Sequence, residues 1–127
     1  MAERAARVLV ADDDPHTREI LSRFLGERGF DIATASDGEL ALAEIGKFQP
    51  DVVLLDIRMP NMDGVECLRR IIADELDCGV IMISGEADVD QARMTLTMGA
   101  ADFIYKPFDL EYLETSLLAK LLTMGRP

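Results

Sequence analysis

Five short apolar runs alternate with five helical patterns along this chain, at a period of roughly 25 residues and with short connections. Few architectures accept that order. A strand, a helix and a second strand read as a right-handed crossover between parallel strands. Repetition of the unit builds a parallel sheet with helices on both faces. The stretch 51–64, DVVLLDIRMPNMDG, is the centre of the pattern. Its apolar run, residues 52–55, is too short to cross a bilayer and too continuous for a half-solvated strand, so it reads as a buried central strand. Asp56 ends that strand, and Pro60 with the residues up to Gly64 forces a loop. An aspartate can end a strand merely because a loop follows. In open α/β sheets, however, ligands and chemistry collect at the carboxyl ends of the strands.

The other units follow the same grammar. The first strand spans 7–11 and is closed by Asp12, Asp13 and Asp14. Asp14 caps a helix that Pro15 opens, with Ile20, Leu21, Phe24 and Leu25 on its apolar face and Gly29 at its end. Residues 31–35 make the second strand, Asp37 and Gly38 turn the chain, and a helix over 39–46 points Leu42 and Ile45 inward. A third helix over 65–75 repeats Val65, Leu68 and Ile72 at helical spacing. The fourth strand, 80–83, ends at Ser84 and Gly85; Asp88 caps a fourth helix that stops at Gly99. The fifth strand, 101–105, ends at Lys106 and Pro107. Asp109 caps a last helix lined by Leu110, Leu113, Leu117 and Leu121.

A length of 127 residues fits one domain, 1–127, with its core over about 7–122 and with 123–127 as a tail or the start of a linker. The formal net charge of −11 argues against direct binding of nucleic acid or an anionic membrane, and Arg69–Arg70 is the only adjacent basic pair. Cys67 and Cys78 form neither a CxxC nor a metal-ligand spacing, which suits reduced cysteines in the cytoplasm. The first residues lack the apolar stretch of a secretory signal, and no run reaches the length of a membrane helix.

Four of the five strands therefore end in chemistry: Asp12 and Asp13, Asp56, Ser84 and Lys106. Three carboxylates brought together are costly unless a cation or a lysine compensates. Hard oxygen donors of this kind suit Mg²⁺, which binds few carboxylates, keeps waters and favours phosphate partners. A phosphoryl group beside them could share one oxygen with the metal and give the others to Lys106 and Ser84. Ser84 and Asp56 are both candidate nucleophiles. Ser84 has no histidine base nearby, His16 being the only one in the chain, whereas Asp56 is anionic and lies on the central strand.

The pieces VLVADDD, DVVLLDIRMPNMDG, VIMISG and GAADFIYKPF together resemble the receiver domain of bacterial response regulators in two-component signalling, over about residues 7–122. The resemblance implies a flavodoxin-like (βα)5 sandwich of three layers. It also supplies the strand order 2-1-3-4-5, known for a chemotaxis member of that family and not proved by the residues alone. It implies a phosphorylation-activated switch, not an enzyme with a diffusible substrate, that assists its own phosphorylation and dephosphorylation.

Position by position, Asp56 resembles the phosphoryl acceptor, Asp13 the direct carboxylate ligand of Mg²⁺ and Asp12 its water-mediated partner. Arg58 stands where the family uses a backbone carbonyl as ligand, and Mn²⁺ is an alternative ion. Ser84 resembles the switch hydroxyl, Phe103 the switch aromatic and Lys106 the phosphate-contacting lysine, with Lys106–Pro107 expected to be cis. The implied partners are a histidine kinase or histidine phosphotransfer protein, and a downstream protein or a second copy reading the fourth helix, fifth strand and fifth helix.

Two other classes use similar residues. An aspartyl-phosphate hydrolase would want an acid two residues beyond the nucleophile and a cap over its substrate. Arg58 stands there, and no insertion could form a cap. A flavin carrier would want a phosphate-cradling first loop, whereas three consecutive aspartates repel phosphate. Within the leading class the chain is either a stand-alone switch, which the absence of an effector favours, or the receiver of a longer DNA-binding or enzymatic regulator. His16 reads as solvated, Tyr105 as sheet packing, and Met59 and Met62 as packing for the loop around Pro60. Met94 and Met98 on the fourth helix suit a docking face if exposed.

Overall fold

The computed structural model describes residues 4–85 and 89–126. Ten elements alternate: β1 (Arg7–Ala11), α1 (Pro15–Glu27), β2 (Asp31–Ala35), α2 (Gly38–Phe48), β3 (Val52–Asp56), α3 (Gly64–Ala73), β4 (Gly79–Ser84), α4 (Val89–Met98), β5 (Asp102–Tyr105) and α5 (Leu110–Thr123). The strands form one parallel sheet of order β2-β1-β3-β4-β5, the expected flavodoxin-like (βα)5 arrangement.

Strand periodicity sorts the core into two halves. Leu9, Val53, Leu55 and Met82 point to one face, where Ala41 and Ile45 of α2 and Cys67, Leu68 and Ile71 of α3 cover them. Val10, Leu54, Ile81 and Ile83 point to the other, beneath Leu21 and Leu25 of α1 and Leu113, Leu117 and Leu121 of α5. Because both faces are covered, β3 and β4 are buried along their whole length, which is why they read as unbroken apolar runs.

Aspartates start four of the helices. Asp14 accepts from the His16 amide, Asp37 from Leu40, Asp63 from Glu66, and Asp109 from Glu111 and Tyr112. Each such cap stabilises its helix by about 1 kcal/mol. The cap expected at Asp88 lies outside the described residues.

Several helix details depart from the sequence pattern. Ile20 and Ile72 are exposed, and the buried stripes are narrower, Leu21 with Leu25 on α1 and Cys67, Leu68 and Ile71 on α3. Helix α2 runs past Gly46 to Phe48 and ends where Gln49 turns left-handed at φ 53°. Helix α3 ends at Ala73, and Glu75 takes φ 52° in the turn that follows. Strand β5 begins at Asp102, one residue later than expected.

At the amino ends of the strands, Asp51 is 2% exposed. Its carboxylate receives two 2.9 Å hydrogen bonds from Arg4 and one of 2.8 Å from the Arg7 amide, and Arg126 lies 3.4 Å away. Burial alone would raise its pKa, but the Arg4 and Arg7 donors hold the carboxyl below its ordinary value. Asp51→Ala strands these donors and should cost about 3 kcal/mol in urea unfolding; a loss under about 0.5 kcal/mol would show the clasp to be ornamental.

Candidate functional site

Sheet register assembles the site. Ala11 pairs with Leu55 and Asp56 with Ile83, so Asp12 emerges beside Asp56, and Ser84 follows on the next strand. Ser84 in turn pairs with Tyr105, which brings Lys106 to the same edge. The four strand ends singled out in the sequence thus converge at the carboxyl edge of the sheet.

Asp12 and Asp56 are buried at 0% and 3% exposure, while Asp13 is exposed. Oxygens of the three carboxylates all lie within 4.8 Å of one another. Lys106 Nζ sits 2.7 Å from Asp12 Oδ2 and 3.5 Å from Asp56 Oδ2. The ammonium is a close ion-pair partner of Asp12 Oδ2, yet among the described residues that oxygen has no aligned hydrogen-bond donor. Asp12 Oδ1, by contrast, accepts from the Asp14 amide at 2.9 Å. Burial first, and then the neighbouring charge of Asp12, push the Asp56 carboxyl up to about 7 against the opposing pull of Lys106. For Lys106, burial works downward but is outweighed by Asp12 and Asp56, which leave it above its ordinary value.

Three carboxylates facing one ammonium carry an excess of negative charge. A lone pair without an aligned donor, an all-oxygen donor set and partial exposure through Asp13 together fit a hydrated divalent cation. These residues form an acidic cluster suited to such an ion.

The remaining site positions are placed as follows. Arg58 is exposed, and its amide donates to Asp56 Oδ1 at 3.3 Å. The Ser84 side chain is fully buried, and its carbonyl accepts from the Lys106 amide at 2.9 Å. Phe103 is half-buried against the core beneath α2 and α3, and its ring lies 5.0 Å from that of Tyr105. Tyr105 itself is 46% exposed. Lys106–Pro107 is cis. His16 is exposed, Met59 and Met62 pack against the core, Met94 is exposed, and Met98 is half-buried against the core.

Three contacts support the site; Gly64 was expected from the sequence as a turn that a Cβ would crowd, and the other two were not read there. Arg18 Nη1 donates to the Asp12 carbonyl at 2.7 Å, steadying the aspartate turn. A Cβ on Gly64 would stand 2.0 Å from the Asp56 carbonyl, so the loop after β3 closes only over glycine. Asp37, taken as a turn residue, also receives the Asn61 side-chain amide at 2.9 Å. Nothing local marked the Arg18 and Asn61 contacts.

A cleft of about 610 Å³ is at the opposite end of the sheet around Asp51. Its arginines are engaged by Asp51, Asp77 and the Phe48 carbonyl, and the reactive groups are not there.

A parallel sheet with acid, hydroxyl and lysine at one carboxyl edge defines an open α/β domain whose candidate site is suited to a divalent cation. Residues 8–118 match the family described as response regulator receiver domain, and the chain belongs to that family. It is 40% identical over 107 residues to the regulatory protein AtoC of Escherichia coli (strain K12), covering 84% of this chain and 23% of AtoC. Among solved structures it superposes on the signal receiver domain of a Luxo repressor protein from Vibrio parahaemolyticus with a TM-score of 0.91 at 26% identity, covering 95% and 93% of the two chains. It also matches a chain of the CheX-CheY-BeF3-Mg+2 complex from Borrelia burgdorferi, with a TM-score of 0.84 at 35% identity over 90% and 87%. The chain spans 23% to 53% of the length of the first curated relatives it matches. As a receiver domain it is not an enzyme with a diffusible substrate; its chemistry is its own phosphorylation and dephosphorylation. No described helix is long and apolar enough to cross a membrane.

Proposed function

We propose that residues 1–127 form one receiver unit that accepts a phosphoryl group on Asp56 from a histidine kinase or a histidine phosphotransfer protein. The observation that carries the reading is the convergence of Asp56, Asp12, Asp13 and Lys106, with carboxylate oxygens within 4.8 Å and the lysine 3.5 Å from Asp56. A carboxylate oxygen of Asp56 attacks phosphorus, the bond to the donor imidazole nitrogen breaks, and the imidazole leaves as its neutral form after taking a proton. Lys106 meets the growing charge on the transferred group, and Ser84 supplies a hydroxyl from the neighbouring strand. Asp12, Asp13, Asp56 and the Arg58 backbone carbonyl would hold Mg²⁺, or Mn²⁺ in its place. When bound, that ion neutralises phosphoryl oxygens in transfer. The Borrelia burgdorferi complex, with BeF3 and Mg+2 beside a related chain, supports the same reading.

Phosphorylation adds a nearly divalent anion at Asp56. Ser84 turns toward it, Phe103 fills the space vacated, and the surface of α4, β5 and α5 changes. A downstream protein or a second copy of the chain reads that surface, where Met94 and Tyr105 are already exposed. The relatives' greater length leaves two settings for the same unit, a stand-alone switch and the receiver of a longer regulator.

One NMR series tests this. Millimolar Mg²⁺ should titrate the parent protein, and Asp13→Ala should weaken that binding about tenfold or more. A small phosphodonor added next should shift amides in α4, β5 and α5. Equal Mg²⁺ affinity in the variant rejects the ligand assignment, and shifts confined to the loops around Asp56 reject the output face.

A further inference from the structure

The loop from Ile57 to Asp63, which carries the proposed metal-binding carbonyl of Arg58, is fastened at both ends. At its start the Gly64 amide donates to the Ile57 carbonyl at 2.8 Å. Its far side is tied to α2, an element that contributes nothing to the acidic cluster. The Asn61 side-chain amide donates to Asp37 Oδ2 at 2.9 Å, and the Gly38 amide donates to the Met62 carbonyl at 3.1 Å. Asp37 is 8% exposed, and its other oxygen caps α2 by accepting from the Leu40 amide at 2.8 Å. One buried carboxylate therefore serves two masters, the helix end and the loop.

Two further features show that this approach is built and close. Asn61 takes φ 67°, a left-handed conformation that asparagine tolerates better than most residues. A Cβ on Gly38 would stand 2.2 Å from the Met62 carbonyl, so any side chain there would push the loop away from α2.

From this geometry we infer that the Asp37–Asn61 clamp is a positioning device for metal binding: by fixing the loop against the start of α2, it sets how well the Arg58 carbonyl is presented to the divalent cation. The inference rests on the metal site proposed above. Asp37 and Asn61 touch neither metal nor phosphoryl group; they act through the loop backbone. A loop that must be ordered at the moment of binding gives up affinity for that ordering, and a loop already fastened does not. Linkage makes the effect reciprocal. If the clamp favours metal binding, metal binding must tighten the clamp by the same factor, and the cap of α2 tightens with it. The amino end of α2 thus becomes a second place where occupancy of the site is felt.

The test uses the full chain. Asn61→Gly keeps the left-handed backbone accessible while deleting the side-chain bond. It should weaken Mg²⁺ binding about fivefold by calorimetric or NMR titration, the worth of one hydrogen bond. Phosphorylation by a small phosphodonor should slow at limiting Mg²⁺ and recover at saturating Mg²⁺. In the parent, added Mg²⁺ should slow hydrogen exchange of the Leu40 amide by a similar factor, and Asn61→Gly should abolish that slowing. A merely structural contact would lower stability and leave both readouts unmoved. Gly38→Ala, which displaces the loop without touching Asn61 or Asp37, should weaken Mg²⁺ binding in the same direction. Unchanged Mg²⁺ affinity in Asn61→Gly, with binding normal in the parent, overturns the clamp alone. No Mg²⁺ binding in the parent overturns the metal site and the clamp together.

Discussion

Asp56→Asn is expected to cut phosphoryl labelling by a small phosphodonor and Mg²⁺ at least 100-fold while leaving the domain folded. The amide matches the carboxylate in size but offers no nucleophilic oxygen. No neighbour can take over. Asp12 is fully buried, paired with Lys106 and hydrogen-bonded to the Asp14 amide, and Asp13 is the exposed member of the acidic cluster. Asp63 faces away, capping α3 through the Glu66 amide. Ser84 has no histidine on the described strand ends to take its proton. Time courses of phosphoryl incorporation, read by intact mass, check the expectation alongside circular dichroism. Labelling of a folded Asp56→Asn protein within a few-fold of the parent rate would defeat it.

The second large effect concerns pH without metal. An unfolded aspartate ionises near pH 3.9, whereas native Asp56 is raised to about 7 by burial and by Asp12. Between those values the native state holds more protons than the unfolded state. Stability must therefore fall as pH rises through that window. The loss is about 2–4 kcal/mol, complete above roughly pH 8. Asp14, Asp37 and Asp51 have carboxyls below their ordinary values, so their contributions rise with pH and are already complete near pH 5. The decline above pH 5 therefore belongs to Asp56. Chelator-treated protein should lose urea resistance from pH 5 to 8, Mg²⁺ should restore it, and Asp56→Asn should flatten the profile. Parallel profiles for parent and variant would place the buried charge elsewhere.

These effects trace back to what the residues announced. Strand ends were legible because a strand buried on both faces must be apolar throughout, so the first carboxylate after it marks the sheet edge: Asp12 after β1, Asp56 at the end of β3. Alternation of strand and helix named the layers, and the aspartate caps at Asp14 and Asp109 marked helix starts, whereas Asp37, read only as a turn residue, and Asp63 turned out to cap α2 and α3 as well. Helix stripes were less legible. Ile20 and Ile72 have the chemistry of core residues, yet the rotation of α1 and α3 on the sheet leaves them exposed, a decision made by packing and not by periodicity. Helix ends followed backbone turns at Gln49 and Glu75, not the nearby Gly46. The clasp at Asp51 joins residues 47 positions apart, and the Asp37–Asn61 clamp joins residues 24 apart. Neither has a local signature, because each is made only when separate crossovers dock side by side.

The central claim is that this edge is a phosphoryl-acceptor site with Asp56 as nucleophile. Peptide mass spectrometry of the parent protein after reaction with a small phosphodonor and Mg²⁺ tests it most directly. A single label on the peptide holding Asp56, released by hydroxylamine as an acyl phosphate must be, is the result predicted. A hydroxylamine-stable label on Ser84 would contradict the account.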